Sequence, residues 1–120
     1  MYQYFHQMNH KERLTVCLEV PKKDLLLNYL NVDGPKEITL NMGITFVHPK
    51  EFYCKRIGRE ESQKRLKPVT FKITSVDIEE NCVMMNFTVS DDYYIQFRVH
   101  KYGKEVHFIH FIKWVKNGYV

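Results

Sequence analysis

Apolar and polar residues alternate along much of this chain with a period of two, which is the pattern of strands that bury one face. In residues 13–20, for example, Leu14, Val16 and Leu18 take one parity, and mainly polar residues take the other. The same pattern, bounded by turn residues, predicts strands at residues 13–20, 37–47, 69–76, 82–89, 93–100 and 105–115. The last strand is apolar at both parities, which favours a central position in the sheet or a cover formed by a helix or a second subunit.

Two segments have helical spacing instead. Residues 22–31 follow a proline and place three of their leucines on one stripe, and residues 51–66 form a longer, mostly charged segment. In the longer segment Tyr53, Ile57 and Leu66 fall near one face of a helix, so we expect them to seat it on the sheet. A proline follows each segment closely, which is typical of a helix end.

Two glycines interrupt these patterns. Gly43 lies inside the strand predicted at 37–47, and it predicts a bulge, a bend, or a tight turn that splits this stretch into a hairpin. Gly58 lies inside the helix predicted at 51–66, where it costs about 1 kcal/mol relative to alanine. Close packing of that helix on a strand is the physical reason we expect for it.

Together the patterns predict a single α+β domain over residues 1–120, mainly an antiparallel β-sheet of five or six strands with one or two short helices packed on one face. A chain of 120 residues has the usual size of one domain and buries a core without disulfides or metals. Its eight tyrosines and eight phenylalanines favour strands. The doubly apolar last strand leaves a homodimer as an alternative to a monomer.

The net charge of +4 argues against an acidic mimic of DNA and permits contact with an acidic partner. No stretch approaches the ~20 apolar residues of a membrane span, and residues 1–13 lack the apolar segment of a secretory signal. The three cysteines, Cys17, Cys54 and Cys82, are widely spaced, so we expect reduced thiols rather than a disulfide framework or a zinc knuckle. These features predict a protein of the cytoplasm.

No residue pattern of a known type of active site is present: there is no P-loop, dinucleotide-binding loop or nucleophile elbow. We therefore predict no enzymatic activity, no catalytic residue, no cofactor and no metal. His6 and His10 have the spacing of helical metal ligands, but their segment does not have a helical pattern. His100 and His107 are predicted to be cross-strand neighbours in a surface hairpin. The spacing of His107 and His110 predicts opposite faces of their strand.

Two predicted surfaces carry binding chemistry. The cations of the charged helix suit an anionic ligand or an acidic protein surface, although they also fit an ordinary solvated helix face. The second surface is one face of the strand at 93–100, formed by Tyr94, Gln96, Arg98 and His100. Proteins that bind single-stranded nucleic acids combine aromatic and basic groups in this way, as does the outer face of many half-buried sheets. The partner-binding residues predicted from both surfaces are Lys55, Arg56, Arg59, Lys64, Arg65, Arg98 and His100.

Residues 48–66 read HPKEFYCKRIGREESQKRL. This segment resembles one found in small uncharacterised proteins of bacteriophages. There a strand runs into Pro-x-Asp-x-Phe, then Ser or Cys before Lys or Arg, then Ile-Gly-Arg, a small residue, and an Arg followed by an apolar residue. Glu51, Tyr53 and Ser62 are conservative departures from that pattern. The positions in register with it are Pro49, Glu51, Tyr53, Cys54, Lys55, Ile57, Gly58, Arg59, Ser62, Arg65 and Leu66.

The resemblance implies a phage-encoded protein that acts in the host cytoplasm, and the phage proteins share no common biochemical activity. Together with the missing active-site patterns, it leads to the hypothesis of a non-enzymatic protein that binds a host protein with an acidic surface and inhibits or redirects it. The most specific form of this hypothesis is an inhibitor of a host defence system, similar to an anti-CRISPR protein. The alternative hypothesis is a single-stranded nucleic-acid or nucleotide binding protein that uses the aromatic and basic sheet face.

Overall fold

The computed structural model describes residues 1–8, 13–29, 36–47, 54–89, 93–115 and 118–119 of the chain. Seven strands form a meander in which each strand is antiparallel to the one before it. They are β1 Tyr2–Met8, β2 Arg13–Glu19, β3 Glu37–Val47, β4 Lys67–Ile78, β5 Cys82–Val89, β6 Tyr93–His100 and β7 Val106–Val115; a two-residue β8, Gly118–Tyr119, pairs with the end of β7. The helices are α1 Lys23–Asn28, before β3, and α2 Lys55–Lys64, before β4. Within the described residues, neither helix has the length and apolar content needed to cross a membrane.

The α+β class and the predominance of antiparallel sheet are confirmed, but the predicted count of five or six strands is wrong. The strand missed from the sequence is β1, in which aromatic and polar residues occupy both parities and no aliphatic residue precedes Met8. Its hydrophobic period is therefore weak. Backbone pairing with β2 along its whole length holds β1 in place, from Tyr2 opposite Glu19 to Met8 opposite Arg13.

The sheet curls around one hydrophobic core. On β6 the predicted buried face is confirmed, since Ile95, Phe97 and Val99 are at most 1% exposed, and Tyr93 is half-buried. Helix α1 adds Leu26 to the same core. Fully burying one large apolar side chain stabilises a protein by about 1.5–3 kcal/mol, so this shared interior is the main source of stability. Its largest side chains include four phenylalanines, Phe71, Phe87, Phe97 and Phe111.

The two ends of the meander, β1 and β7, meet along a seam that side chains close. Phe5 of β1 packs against Phe108 and Phe111 of β7, with ring centroids 5.9 and 6.2 Å apart. The carboxamide of Gln3 donates to the carbonyl of Val106 and accepts from the amide N–H of Phe108, both at 2.7 Å. One side chain thus makes the two hydrogen bonds that a neighbouring strand would supply.

Strand direction explains why a side chain has this role. In a meander of seven antiparallel strands the first and seventh run in the same direction, so a direct ladder between them would have to be parallel. No backbone ladder joins β1 to β7 in the described residues. The Gln3 carboxamide instead bonds the two peptide groups that flank His107. The sheet is therefore nearly barrel-like, with a seam made of side chains.

A β-bulge in β7 decides which of its side chains face the core. The register with β6 shifts between Gln96 and Phe97, which leaves Ile109 as an extra residue in β7. Because of this extra residue, Phe108 and Phe111 both lie in the core although they are three positions apart. The bulge accounts for the opposite parities of Phe108 and Phe111, whereas Ile112 lies opposite Tyr94 on the outer face.

The same bulge determines where the two histidines of β7 lie. His107 is opposite Arg98 and His110 is opposite Gln96, and these two β6 residues share the outer face of the sheet. His107 and His110 are therefore on one face, and both are exposed. The prediction that they lie on opposite faces is wrong because it assumed an unbroken period of two.

Helix α2 packs on the outer face of β2 and β3 through its smallest residues, Gly58 and Ser62, which are its buried positions. A β-carbon added at Gly58 would overlap Oγ1 of Thr15, and one added at Gly43 would overlap the carbonyl oxygen of Ser62. The prediction that Gly58 permits close packing of the helix on a strand is confirmed. Gly43 has the same role on the side of the sheet.

One other expectation for this region is wrong. Ile57 does not seat the helix; it is 51% exposed because the two small residues take the contact face. Of the alternatives open at Gly43, the hairpin and the bulge are excluded, since β3 is one continuous strand that pairs with β2 and β4 without a register shift. Of the other residues expected to seat the helix, Leu66 is half-buried and Tyr53 lies outside the described residues.

Replacing Gln3 with alanine is expected to lower the free energy of unfolding by about 1–3 kcal/mol, because it leaves a backbone carbonyl and an N–H at the seam without partners. Urea unfolding measures this loss, and hydrogen exchange at the Phe108 amide should accelerate. Gln7→Ala is the matched control, because Gln7 is half-buried on the same face of β1 and makes no hydrogen bond to the described part of β7. Equal losses in the two variants would contradict a specific closing role for Gln3.

Gly58→Ala is expected to destabilise the fold by about 1–3 kcal/mol through overpacking, although alanine is the better helix former by about 1 kcal/mol. Adding Thr15→Ala removes the hydroxyl that the new methyl group meets, so a double-mutant cycle by urea unfolding should recover part of the loss. Gly103→Ala is the control, because its new β-carbon has its nearest neighbour at 3.9 Å. A Gly58→Ala protein as stable as the wild type would rule out the tight helix contact.

Candidate functional site

The outward side of α2 carries the cations that were predicted to bind a partner. Lys64 pairs with Glu61 at 3.3 Å, and an exposed pair of this kind contributes little to stability. The other four cations make no ion pair with any residue that the structure describes. Their charges therefore face solvent. The exposed cations of this helix and its C-terminal cap are Lys55, Arg56, Arg59, Lys64 and Arg65.

Helical geometry separates most of this positive charge from the acidic residues. At about 100° per residue, one flank of α2 carries Lys55, Arg56 and Arg59. Glu60 points almost directly away from the sheet, and Glu61 lies on the opposite flank. We call the first three residues the basic flank. Glu60 and Glu61 interrupt the basic residues in the sequence, but in the helix they lie off this flank. They therefore neutralise its charge less than the sequence order suggests.

Strand β1 lies beside the basic flank. The hydroxyl of Tyr4 donates to Oε1 of Gln63 at 3.3 Å, and Gln63 follows Lys55 and Arg59 at four-residue steps on the same side of the helix. On the same face of β1, the pKa of His6 is lowered by burial and then by the positive charges of Lys55 and Arg59. The lowered pKa keeps His6 neutral near pH 7, and it reflects a positive potential at this surface.

The start of α2 holds a partly exposed thiol. Cys54 makes no capping hydrogen bond of standard geometry, yet its pKa is lowered, first by the backbone N–H groups of Ile57 and Arg56. The positive charges of Arg56 and Arg59 add to the effect. Thiolates are stabilised in this way at helix N-termini beside cations.

The second predicted surface, the outer face of β6, is a hydrogen-bonded network. Oδ1 of the buried Asn86 accepts from the hydroxyl of Tyr94, and from Nε2 of Gln96 at 2.9 Å. Nδ2 of Asn86 donates to the hydroxyl of Ser75 at 2.7 Å. The ring of Tyr94 meets that of His110 edge-on at 6.1 Å, and burial raises the pKa of its hydroxyl. Tyr94 and Gln96 share one face as predicted, but their polar groups bind the sheet itself.

Arg98 and His100 do not join the basic flank. Both are on β6, which pairs with β5 and β7, whereas α2 packs mainly on β2 and β3. Arg98 is exposed and His100 is half-buried, with its ring centroid 5.1 Å from that of His107. His100 and His107 are cross-strand neighbours as predicted, although on a diagonal, since the residue directly opposite His107 is Arg98. The predicted partner-binding residues therefore divide between two separate surfaces.

Sequence spacing misjudged one histidine pair and missed one carboxylate. His6 lies in a strand, where a four-residue spacing does not place side chains as it does in a helix. His10 is outside the described residues. Glu105 was not singled out, yet its Oε2 lies 3.9 Å from Nε2 of His100. Counting the hairpin register back from its turn would have found it, because the main chains of His100 and Glu105 pair directly.

Comparisons of the chain with protein-family models, with curated protein sequences and with solved structures find no match. They neither support nor contradict the resemblance of residues 48–66 to bacteriophage proteins, which stays a prediction. Function is therefore inferred from the chemistry and geometry of these surfaces.

In the folded protein at neutral pH, Cys54 is expected to react with iodoacetamide faster than Cys17 and Cys82, because its lowered pKa gives more thiolate. The pKa of Cys17 is raised by burial, and that of Cys82 is raised chiefly by its hydrogen bond with Glu79. Labelling rates resolved by mass spectrometry across a pH series should place the Cys54 midpoint below its value in the urea-unfolded chain. Arg59→Gln should move that midpoint upward. A Cys54 midpoint at or above the unfolded value would contradict this account of the helix start.

Proposed function

We propose that this chain is a non-enzymatic binding protein that engages an acidic surface of another protein through the basic flank of α2. The observation that supports this is the seating of the helix. Gly58 and Ser62 pack it closely against the sheet. Its exposed basic flank, Lys55, Arg56 and Arg59, faces solvent. Cations on a rigid element bind a partner at a lower entropic cost than cations on a flexible loop.

An exposed apolar residue on the same helix favours a protein surface over a free anion as the ligand. Ile57 is 51% exposed. At about 100° per residue it lies on the other side of Glu60 from the basic flank, so a partner that contacts both must cover the outward side of α2, as a protein surface can. Protein interfaces combine apolar contacts at the centre with arginine, which is enriched among the residues that dominate binding energy. A small anion would engage the cations alone and would leave Ile57 in water.

Burial of the hydroxyl–imidazole pair formed by Thr15 and His6 supports a binding role rather than nucleophilic catalysis. Nδ1 of His6 and Oγ1 of Thr15 are hydrogen-bonded at 2.9 Å, an arrangement that activates nucleophiles in some enzymes. Thr15 is completely buried, however, and lies against Gly58. A substrate cannot reach this hydroxyl without displacing α2.

The resemblance of residues 48–66 to bacteriophage proteins adds a biological setting to the proposal. The protein would be phage-encoded and would inhibit or redirect a host protein in the host cytoplasm, most sharply as an anti-CRISPR-like inhibitor of a host defence system. Lys55 and Arg59 belong both to the resemblance and to the basic flank. The proposed interface therefore coincides with the segment that carries the resemblance.

Single-stranded nucleic acid is the less favoured partner. Stacking of bases requires aromatic faces that are open to the ligand. Tyr94 is half-buried, its hydroxyl is bound to Asn86, and its ring contacts His110. Arg98 provides an exposed charge on this face, so the nucleic-acid alternative remains a distinct outcome of the experiment below.

Combined reversal of Lys55, Arg56 and Arg59 to glutamate is expected to weaken partner binding by roughly tenfold or more, because truncating one central interface arginine alone often costs about 2 kcal/mol. The partner is first captured from a host lysate on the immobilised wild-type protein and identified. Its dissociation constant for each variant is then measured by calorimetry.

The matched control reverses the same number of charges on the β6–β7 hairpin, at Arg98, Lys101 and Lys104. Unchanged affinity in the folded helix variant would reject the basic flank, and equal loss in both variants would indicate non-specific attraction. Binding of labelled single-stranded oligonucleotides at low salt, lost only in the hairpin variant, would favour the nucleic-acid alternative.

A further inference from the structure

The β6–β7 hairpin brings two histidines and a glutamate together on the outer face of the sheet. The main-chain N–H of His100 donates to the carbonyl of Glu105 at 3.2 Å, and His107 is opposite Arg98 one step further along. Alternate residues of paired strands project to the same face, so the three side chains are neighbours. The two imidazole rings meet edge-on with centroids 5.1 Å apart.

The donor atoms of this cluster lie close to the spacing that a metal ion requires. One donor from each of His100, Glu105 and His107 lies within 4.8 Å of the other two. A tetrahedral zinc ion with bonds of about 2.0–2.1 Å to nitrogen holds its ligand atoms roughly 3.3 Å apart. The side chain of Glu105 is 67% exposed and His107 is exposed, so both side chains have room in solvent to change rotamer toward an ion.

An unsatisfied atom marks the position that a ligand would occupy. Nε2 of His100 is buried and has no hydrogen-bond partner among the residues described here. It lies 3.9 Å from Oε2 of Glu105, beyond hydrogen-bonding distance. Buried polar atoms in proteins nearly always have a partner, and an exception indicates a water molecule or an ion. A metal bound between the three side chains would satisfy this nitrogen.

We propose that His100, Glu105 and His107 form a binding site for a divalent transition-metal ion, for which Zn²⁺ is the best fit. Imidazole nitrogen suits zinc, copper and nickel, whereas magnesium and calcium prefer all-oxygen sites. Three protein ligands leave one tetrahedral position for water or for a donor from a partner. Glu105 lines two open clefts, one of about 310 Å³ together with His100 and one of about 450 Å³ together with His107, so the cluster is open to solvent.

The positive charge of Arg98 lies on the same face of the sheet and repels a bound cation. Its removal should therefore tighten metal binding. Arg98 is directly opposite His107, at a typical Cβ separation of about 4.5–5.5 Å. Arg98→Ala is therefore expected to increase zinc affinity, because it removes a repulsive charge without touching a ligand. A residue that merely shaped the hairpin would not produce a gain.

The binding test uses the full chain without a purification tag, freed of metal with a chelator and titrated with Zn²⁺ by calorimetry. The wild type should bind one ion per chain. His107→Asn should weaken binding by at least about tenfold, since loss of even an outer-shell partner typically costs 10–100-fold, and Glu105→Gln should act in the same direction. His110→Asn is the matched control, an exposed histidine on the same strand and face, and it should leave the affinity unchanged.

Cobalt substitution gives a second readout, because Co²⁺ held by these ligands should show visible absorption that His107→Asn loses and His110→Asn keeps. Urea unfolding in the presence of chelator checks that each variant is folded. Absence of zinc binding by the wild type, unchanged binding by His107→Asn, or equal loss in His110→Asn would each overturn the proposal. The site lies away from α2, so these outcomes are independent of the proposed partner interface.

Discussion

Closure of the sheet between β1 and β7 keeps water from the apolar interior that all seven strands share. The two strands run in the same direction, and an unpaired edge on either would expose peptide groups to aggregation. A carboxamide has the donor and the acceptor of a peptide group, so Gln3 pairs with the edge of β7 where no backbone ladder forms. Phe5 covers the apolar side of the same seam. The same short stretch of β1 therefore provides both the hydrogen bonds and the apolar contacts that close the sheet.

The position of α2 follows from a contact that only small residues permit. Most surface helices bury an apolar stripe and expose their polar side. Here Gly58 and Ser62 form the buried side, and Ile57 is left in solvent on the flank opposite the basic one. The helix consequently lies close to β2 and β3, and its outward side is free for recognition. Because Gly58 and Ser62 form the side of α2 that faces the sheet, the helix packs closely and its basic flank stays exposed.

The seam and the hairpin cluster are physically connected. The two peptide groups bonded by Gln3 are those on either side of His107, so the seam holds the backbone of one proposed metal ligand. His100 is held from the other side, since its main chain pairs with Glu105 within the hairpin. The β-bulge at Ile109 then separates this cluster from His110 and the Asn86 network.

Local patterns predicted the strands in which apolar side chains alternate, together with both helices and the proximity of His100 and His107 across the hairpin. They failed for β1, which has no alternating apolar face and is held by backbone pairing, by one carboxamide and by the apolar packing of Phe5. They also failed in β7, where one extra residue shifts the parity of everything after it. The cations of the candidate site were evident in the sequence, but their grouping on one flank of α2 depends on which side of the helix is buried.

By itself the sequence determined the class of fold, the need for a close approach at Gly58 and the supply of positive charge in α2. Each of these depends on residue type and on spacing within one element. The tertiary structure alone decided that Gly58 meets Thr15, that Gln3 closes the sheet, and that Glu105 joins two histidines. The first two are contacts between residues distant in the chain, set by how the sheet curls, and the third is set by hairpin register. A period of two or of 3.6 carries no information about either.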